Sequence, residues 1–196
     1  MTQLPKNLTH YFLVPSPSMS DERFKDALIY ICRHSSAGAW GFIINQTHPF
    51  LSVGGLLGEL DLPSSYRTIS TPVMHGGFMR PEAGFVLHTG QPNFTSSFVI
   101  GDNVCLTTSK DVLKWIADDG LSYYLVCMGF CNWAKGQLEQ EILANDWFIC
   151  PADAMTIFGD EFDKRLPKIR RKLHLATDDL EANVSSDIEI EIMGRA

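Results

Sequence analysis

The side chains able to do chemistry are few and widely spaced. Glu139 and Glu141 stand two residues apart in a helical stretch, about 200° around the axis, so the two carboxylates face opposite ways and form no general acid/base dyad. Gln137 and Glu141, at i and i+4, share a face just after Trp133, with Asn145 slightly round from it. Two uses fit that face: anchoring the helix to a neighbouring loop, or rimming a pocket with Trp133. His34, Asn45, His75 and His88 fall at the ends of apolar runs or in turns, where sites are often built. The functional expectation is that Asn45, His88, Trp133, Gln137 and Glu141 converge on one surface cleft with a donor wall and an acceptor wall. The competing expectation makes Trp133 a core plug and the polar residues partners for buried backbone.

Other chemistries are weaker. No G-x-S-x-G elbow is present, and Cys32 with His34 is the one thiol–imidazole neighbour. Residues two apart on a strand share a face about 7 Å apart, which makes Cys32 a candidate reactive thiol. The histidines and the five cysteines (Cys32, Cys105, Cys127, Cys131, Cys150) show no metal-ligand spacing, so no metal is expected. Buried thiols acting as small hydrophobes suit them better. Gly76-Gly77 lies in neither a G-x-x-x-x-G-K-(S/T) nor a G-x-G-x-x-G pattern, which leaves a backbone nest for a small anion. No cofactor is expected.

The elements that position these residues can be read from the pattern. Short strands are expected over His10–Val14, Ala27–Arg33, Trp40–Asn45, Val73–Gly77, Gly84–Thr89, Ser97–Ile100, Val104–Thr107, Tyr123–Gly129 and Trp147–Cys150. Helices are expected over Ser52–Leu60, Ser109–Asp118 with Ser109 as cap, Gly136–Asn145, and from Pro151 through Phe158. A last helix within Phe162–Leu173 is expected to break at Pro167. This order predicts an α+β fold: a mixed, mostly antiparallel sheet with interspersed and C-terminal helices.

With 196 residues, 45% hydrophobic and 20% charged, the chain suits one domain over residues 1–177. Residues 178–196 form an acidic tail whose alternation at Asp187–Ile192 could add an edge strand. Cations cluster at 164–172, yet the net charge is −7. Basic segment and acidic tail can pair with each other, so nucleic acid is disfavoured as a partner. No apolar run is long enough for a membrane helix and no signal peptide is evident, so the expected location is cytoplasmic. A small ligand or a protein partner is expected; the oligomeric state is left open.

The run from Gly129 to Trp147 (G-F-C-N-W-A-K-G-Q-L-E-Q-E-I-L-A-N-D-W) resembles the signature of the YqgE/AlgH family of bacterial proteins, G-(Y/F)-x-x-W-x-x-G-Q-L-E-x-E-I-x-x-N-x-W. The likeness extends to Phe12–Phe24, Ile29–His34, Gly38–Asn45, Pro72–Gly77 and Gly84–Thr89. Departures are Phe78 where a Pro is usual, Arg33 for Glu, Ala83 for Arg, and Leu166 for Trp. The resemblance implies an uncharacterised protein without settled activity, best read as a non-catalytic binding or regulatory protein. It also implies one alternative, a transcriptional regulator, and the residues themselves leave another, a small-molecule enzyme working through His34, His88 and Glu141.

Overall fold

The computed structural model describes residues 4–91 and 93–173. The first half of the chain supplies β1 (Tyr11–Pro15), β2 (Ile29–Ser35), β3 (Gly38–Ile43), β4 (Thr47–Ser52), β5 (Pro72–His75) and β6 (Met79–Thr89). The second supplies β7 (Ser97–Gly101), β8 (Val104–Thr107), β9 (Tyr124–Ala134) and β10 (Trp147–Pro151). They make one sheet in the order β10-β1-β2-β3-β9-β6-β8-β7, with β5 also on β9 and β4 on β5. Every pairing is antiparallel except β5 with β9, so the mixed, mostly antiparallel α+β expectation holds. The helices are α1 (Val53–Glu59), α2 (Tyr66–Ser70), α3 (Asp111–Ala117), α4 (Gln137–Leu143) and, at residues 162–173, α5.

β9 organises the molecule. Its first half is apolar at every position because the strand is buried on both faces. Leu125 and Cys127 enter a core with Phe12, Tyr30, Phe42, Leu87 and Leu106. Tyr124 and Val126 point the other way, under α1 and α3. At Gly129 (φ +69°) the strand kinks without ending; a Cβ there would run into the Gly77 carbonyl. The strand then continues to Ala134, where a turn was expected, and sends Cys131 and Trp133 into a third cluster under α4. The sheet thus has an inner face with one large core and an outer face with two separate ones.

The sheet curls so that its β7–β8 end crosses over β1 and β3. His10 Nε2 lies 3.6 Å from Asp102 Oδ2, and the Trp40 and Phe98 rings are 6.2 Å apart. Helix α5 closes the inner core through Leu166 and Ile169. It runs unbroken across Pro167, contrary to expectation, because the ring lies on the exposed side where the freed carbonyl can meet water.

Two further expectations are corrected, and one helix was not foreseen. Pro151 ends β10, and the helical segment behind it is a short π-helix, Met155–Gly159. Ser109 does not cap α3: its hydroxyl donates to Asp111 Oδ1. Helix α2 escaped the apolar pattern because only Thr68 in it is buried; its signal was the capping box of Ser65 and Thr68. The acidic tail lies outside the described residues.

Candidate functional site

Trp133, Gln137 and Glu141 do come together, in a closed hub. Glu141 Oε2 accepts the indole N–H of Trp133 (2.8 Å) and of Trp147 (2.9 Å). Its Oε1 accepts the Gln137 amide at 2.9 Å, while Gln137 Oε1 accepts the Ala134 N–H at 2.9 Å. The two indoles meet edge to face, 6.4 Å apart. One carboxylate therefore ties the end of β9, α4 and the start of β10. The opposite carboxylate, Glu139, accepts from His34 Nε2 at 2.9 Å, and His34 Nδ1 accepts the Leu8 N–H at 3.1 Å. Helix geometry explains the division: one face of α4 reaches the indoles and the other reaches β2.

The remaining predicted residues lie elsewhere, and the single-cleft expectation is corrected accordingly. His88 pairs with Tyr124 at the far end of β9, nine residues from Trp133 and so on the order of 30 Å away along the strand. It is fully buried. Nδ1–H donates to the Thr89 carbonyl at 3.0 Å, and Nε2 accepts the Thr107 hydroxyl at 2.8 Å. Burial holds its pKa below the ordinary imidazole value. Asn45 stands at the opposite end of β3 from the Trp133 pairing. It clamps the loop before β2, accepting the Leu28 N–H and donating to the Asp26 carbonyl, each at 2.7 Å.

The Gly76-Gly77 nest is also corrected. The Gly76 N–H goes to the Met128 carbonyl at 2.8 Å, and its carbonyl accepts the Ile43 N–H at 2.8 Å. A Cβ on Gly77 would overlap the Phe130 backbone. These glycines let β5 press against β9. Cys32 does not share a face with His34, because a bulge between Ile31 and Arg33 shifts the register. Its thiol lies in the inner core, where burial pushes the pKa well above the usual thiol range and suppresses the thiolate. Cys127 and Cys131 are likewise pushed up to about 12 by burial. Among the described residues no group of three or more His, Cys, Asp or Glu could hold a metal.

What residue-level reasoning missed is an open cleft of about 450 Å³ on the outer face, between α1 and α3. Its walls include Leu56 on α1, Leu60 just past its end, and Val112 and Leu113 on α3; Val86 and Met128 belong to the strands beneath. Lys110, Arg80 and Glu59 stand at its edge. Arg80 pairs with Glu82 at 3.3 Å, whereas Lys110 has no acidic partner among the described residues. The space exists because Ala83 and Gly84 put almost no side chain over the strand. A Cβ at Gly84 would meet only the Met128 sulfur, at 3.6 Å. Two small residues inside a strand were the available signal.

The basic segment is partly absorbed by the fold. Arg165 is buried; its guanidinium donates to the carbonyls of Ile44 and Asp160, and burial lowers its pKa to about 10. Lys168 pairs with Asp160 at 2.6 Å, Lys164 with Glu161 at 2.5 Å, and Arg170 donates to the Lys25 carbonyl. Arg171 and Lys172 face solvent.

A curled, mostly antiparallel sheet with helices packed on it places this chain in the α+β class. The AlgH-like family model (DUF179) matches residues 12–177, and the chain belongs to that family. It is 44% identical over 180 residues to a UPF0301 protein of Psychrobacter cryohalolentis, covering 91% of this chain and 96% of the relative. It is 42% identical over 157 residues to the UPF0301 protein YqgE of Escherichia coli, covering 78% and 84%. The solution structure of the AlgH protein from Pseudomonas aeruginosa superposes with a TM-score of 0.75 at 32% identity, covering 88% and 92%. A crystal structure from Corynebacterium diphtheriae, at 21% identity and TM-score 0.60, shares the fold.

Proposed function

We propose that this protein is a non-catalytic small-ligand-binding protein whose ligand is an amphiphilic anion. The α1/α3 cleft carries the reading. Its volume lies within the roughly 300–1,000 Å³ of small-molecule sites, and its walls are mainly apolar. Lys110 supplies a cation free to meet a carboxylate or phosphate at the mouth. An apolar body would bury against Leu56, Val86, Val112 and Met128 while its charged head stays at the rim. Binding rather than turnover is supported by the engagement of Glu141, His88 and Asn45 in the fold itself. The reading also favours a ligand over DNA, since most cations of α5 are engaged with the protein's own carbonyls and carboxylates.

No helix among the described residues is long and apolar enough to cross a membrane. The cytoplasmic location is part of this proposal, supported by five free, buried thiols that suit a reducing compartment.

Titration with decanoate and with 8-anilinonaphthalene-1-sulfonate tests the proposal. Saturable binding is expected. It should be lost in Gly84→Leu, which fills the cleft, and weakened about tenfold in Lys110→Glu, a cost of about 1.4 kcal/mol. Binding that Gly84→Leu leaves unchanged would place the ligand elsewhere and overturn the reading.

A further inference from the structure

The inner face carries a second open depression, of about 370 Å³, beside the β2–β3 hairpin and the end of β9. Register places Arg33 opposite Trp40 and Trp40 opposite Asn132. Directly opposed residues have Cβ atoms about 4.5–5.5 Å apart, so three strands present one continuous row. The alternation of neighbours fixes the face. His34 reaches outward to Glu139, and Cys131 and Trp133 enter the outer core. Trp40 packs edge-on against Phe42, Phe98 and Phe130 at the mouth of the inner core. The bulge after Ile31 is what turns Arg33 to this side. Without it, strict alternation from Tyr30 would send Arg33 outward.

Each member of the row keeps unspent binding capacity. Arg33 is exposed and is the one charged side chain lining the depression; it has no acidic partner among the described residues. The Asn132 carboxamide is exposed and likewise has no hydrogen-bond partner among the described residues. Trp40 is only partly buried, its ring held in place by three aromatic neighbours. Ala37, Gly38 and Ala134 leave the space above the row free. The set is therefore a guanidinium fork for an oxyanion, an indole for a planar ring, and a carboxamide that can both donate and accept at a ring edge.

We infer that this row binds a mononucleotide, with the base against Trp40, the phosphate at Arg33 and the base edge at Asn132. A single base is favoured over a nucleic-acid strand on two grounds. The depression has one aromatic platform of nucleobase size, and a net charge of −7 repels an extended polyanion. The inference does not depend on the α1/α3 cleft.

The test uses the whole protein with AMP, UMP, adenosine and ribose 5-phosphate, followed by calorimetry and backbone amide shifts. AMP is expected to bind with a Kd below about 1 mM, shifting amides of residues 33–40 and 132–134. Adenosine and ribose 5-phosphate should each bind at least about tenfold more weakly, because each lacks one half of the recognition. Arg33→Gln should reduce AMP to the affinity of adenosine while leaving adenosine unchanged. Asn132→Ala should alter the ratio of AMP to UMP affinity. Both variants change exposed side chains, so they leave folding intact. Ribose 5-phosphate binding as tightly as AMP would reduce the site to an adventitious anion contact and overturn the inference. So would amide shifts confined to other regions, or no binding. A uridine hexamer binding more than about tenfold tighter than UMP would replace the mononucleotide with a strand.

Discussion

Under α4 the outer face of the sheet is closed by two indoles gathered on one carboxylate; under α1 and α3 the same face lies open over Ala83 and Gly84. Both regions are laid on β9, with Met128 in one and Trp133 in the other, five residues and roughly 17 Å apart. The difference is what fills the space between helix and strand. Large aromatic side chains need their N–H groups satisfied once buried, so they recruit Glu141 and Gln137 and leave no polar capacity for a ligand. Small residues need nothing, and the helices above them do not close the gap. Polar density is thus a poor guide to the site here, and missing side-chain volume is a better one.

The largest effects should come from breaking the closed region. Leu138 is fully buried beneath α4, and Leu138→Ala should cost about 2–4 kcal/mol in urea unfolding. A loss below half of that range would show that α4 is not needed to close the face. Glu141→Ala should cost about 2–3 kcal/mol, because it strands two indole N–H donors at once. Trp133→Phe should recover part of that loss in the Glu141→Ala background but not in the wild type. Additive losses in that double-mutant cycle would dissolve the hub as an energetic unit.

A third test sharpens the boundary between the regions through pH. His88 is buried and neutral, with its folded pKa below the ordinary value near 6.5. The unfolded chain then binds the proton first as pH falls. Its contribution is fully present above about 6.5 and is lost as pH drops through the folded pKa. His88→Gln should cost about 1–2 kcal/mol at pH 7.5, and the gap from wild type should narrow at pH 5.5. His75, also shifted down by burial, is common to both proteins and cancels. A gap that widens on acidification would contradict a buried neutral imidazole.

The smallest stability effect belongs to the open region. Gly84→Leu should change stability by less than about 1 kcal/mol, since its new atoms enter empty space and its backbone needs no left-handed conformation. Its effect on decanoate binding should be complete. A destabilisation as large as that of Leu138→Ala would mean the cleft is not open in solution.

Much of this was legible in the residues, and the misses have identifiable causes. Strand β8 was read to its ends, and α1 nearly so, because apolar period is local. The i, i+4 face of Gln137 and Glu141 was legible for the same reason. What misled was β9: its kink at Gly129 reads as a turn, since a glycine before an aromatic carries no record of the strand pressed against it. Arg165 reads as one more solvated cation, and only the packing of α5 buries it against the Ile44 carbonyl.

By itself the sequence determined the family, the α+β class, the face of α4 that carries Glu141, and most strand positions. These depend on side-chain period, propensity and caps within a few residues of each other. Only the tertiary structure decided that Glu141 is spent on Trp133 and Trp147, that His88 and Asn45 lie far from it, and that the open space falls above Ala83 and Gly84. Those facts depend on which strands pair and in what register, and a cavity is a property of side chains that are not there, drawn from segments distant along the chain.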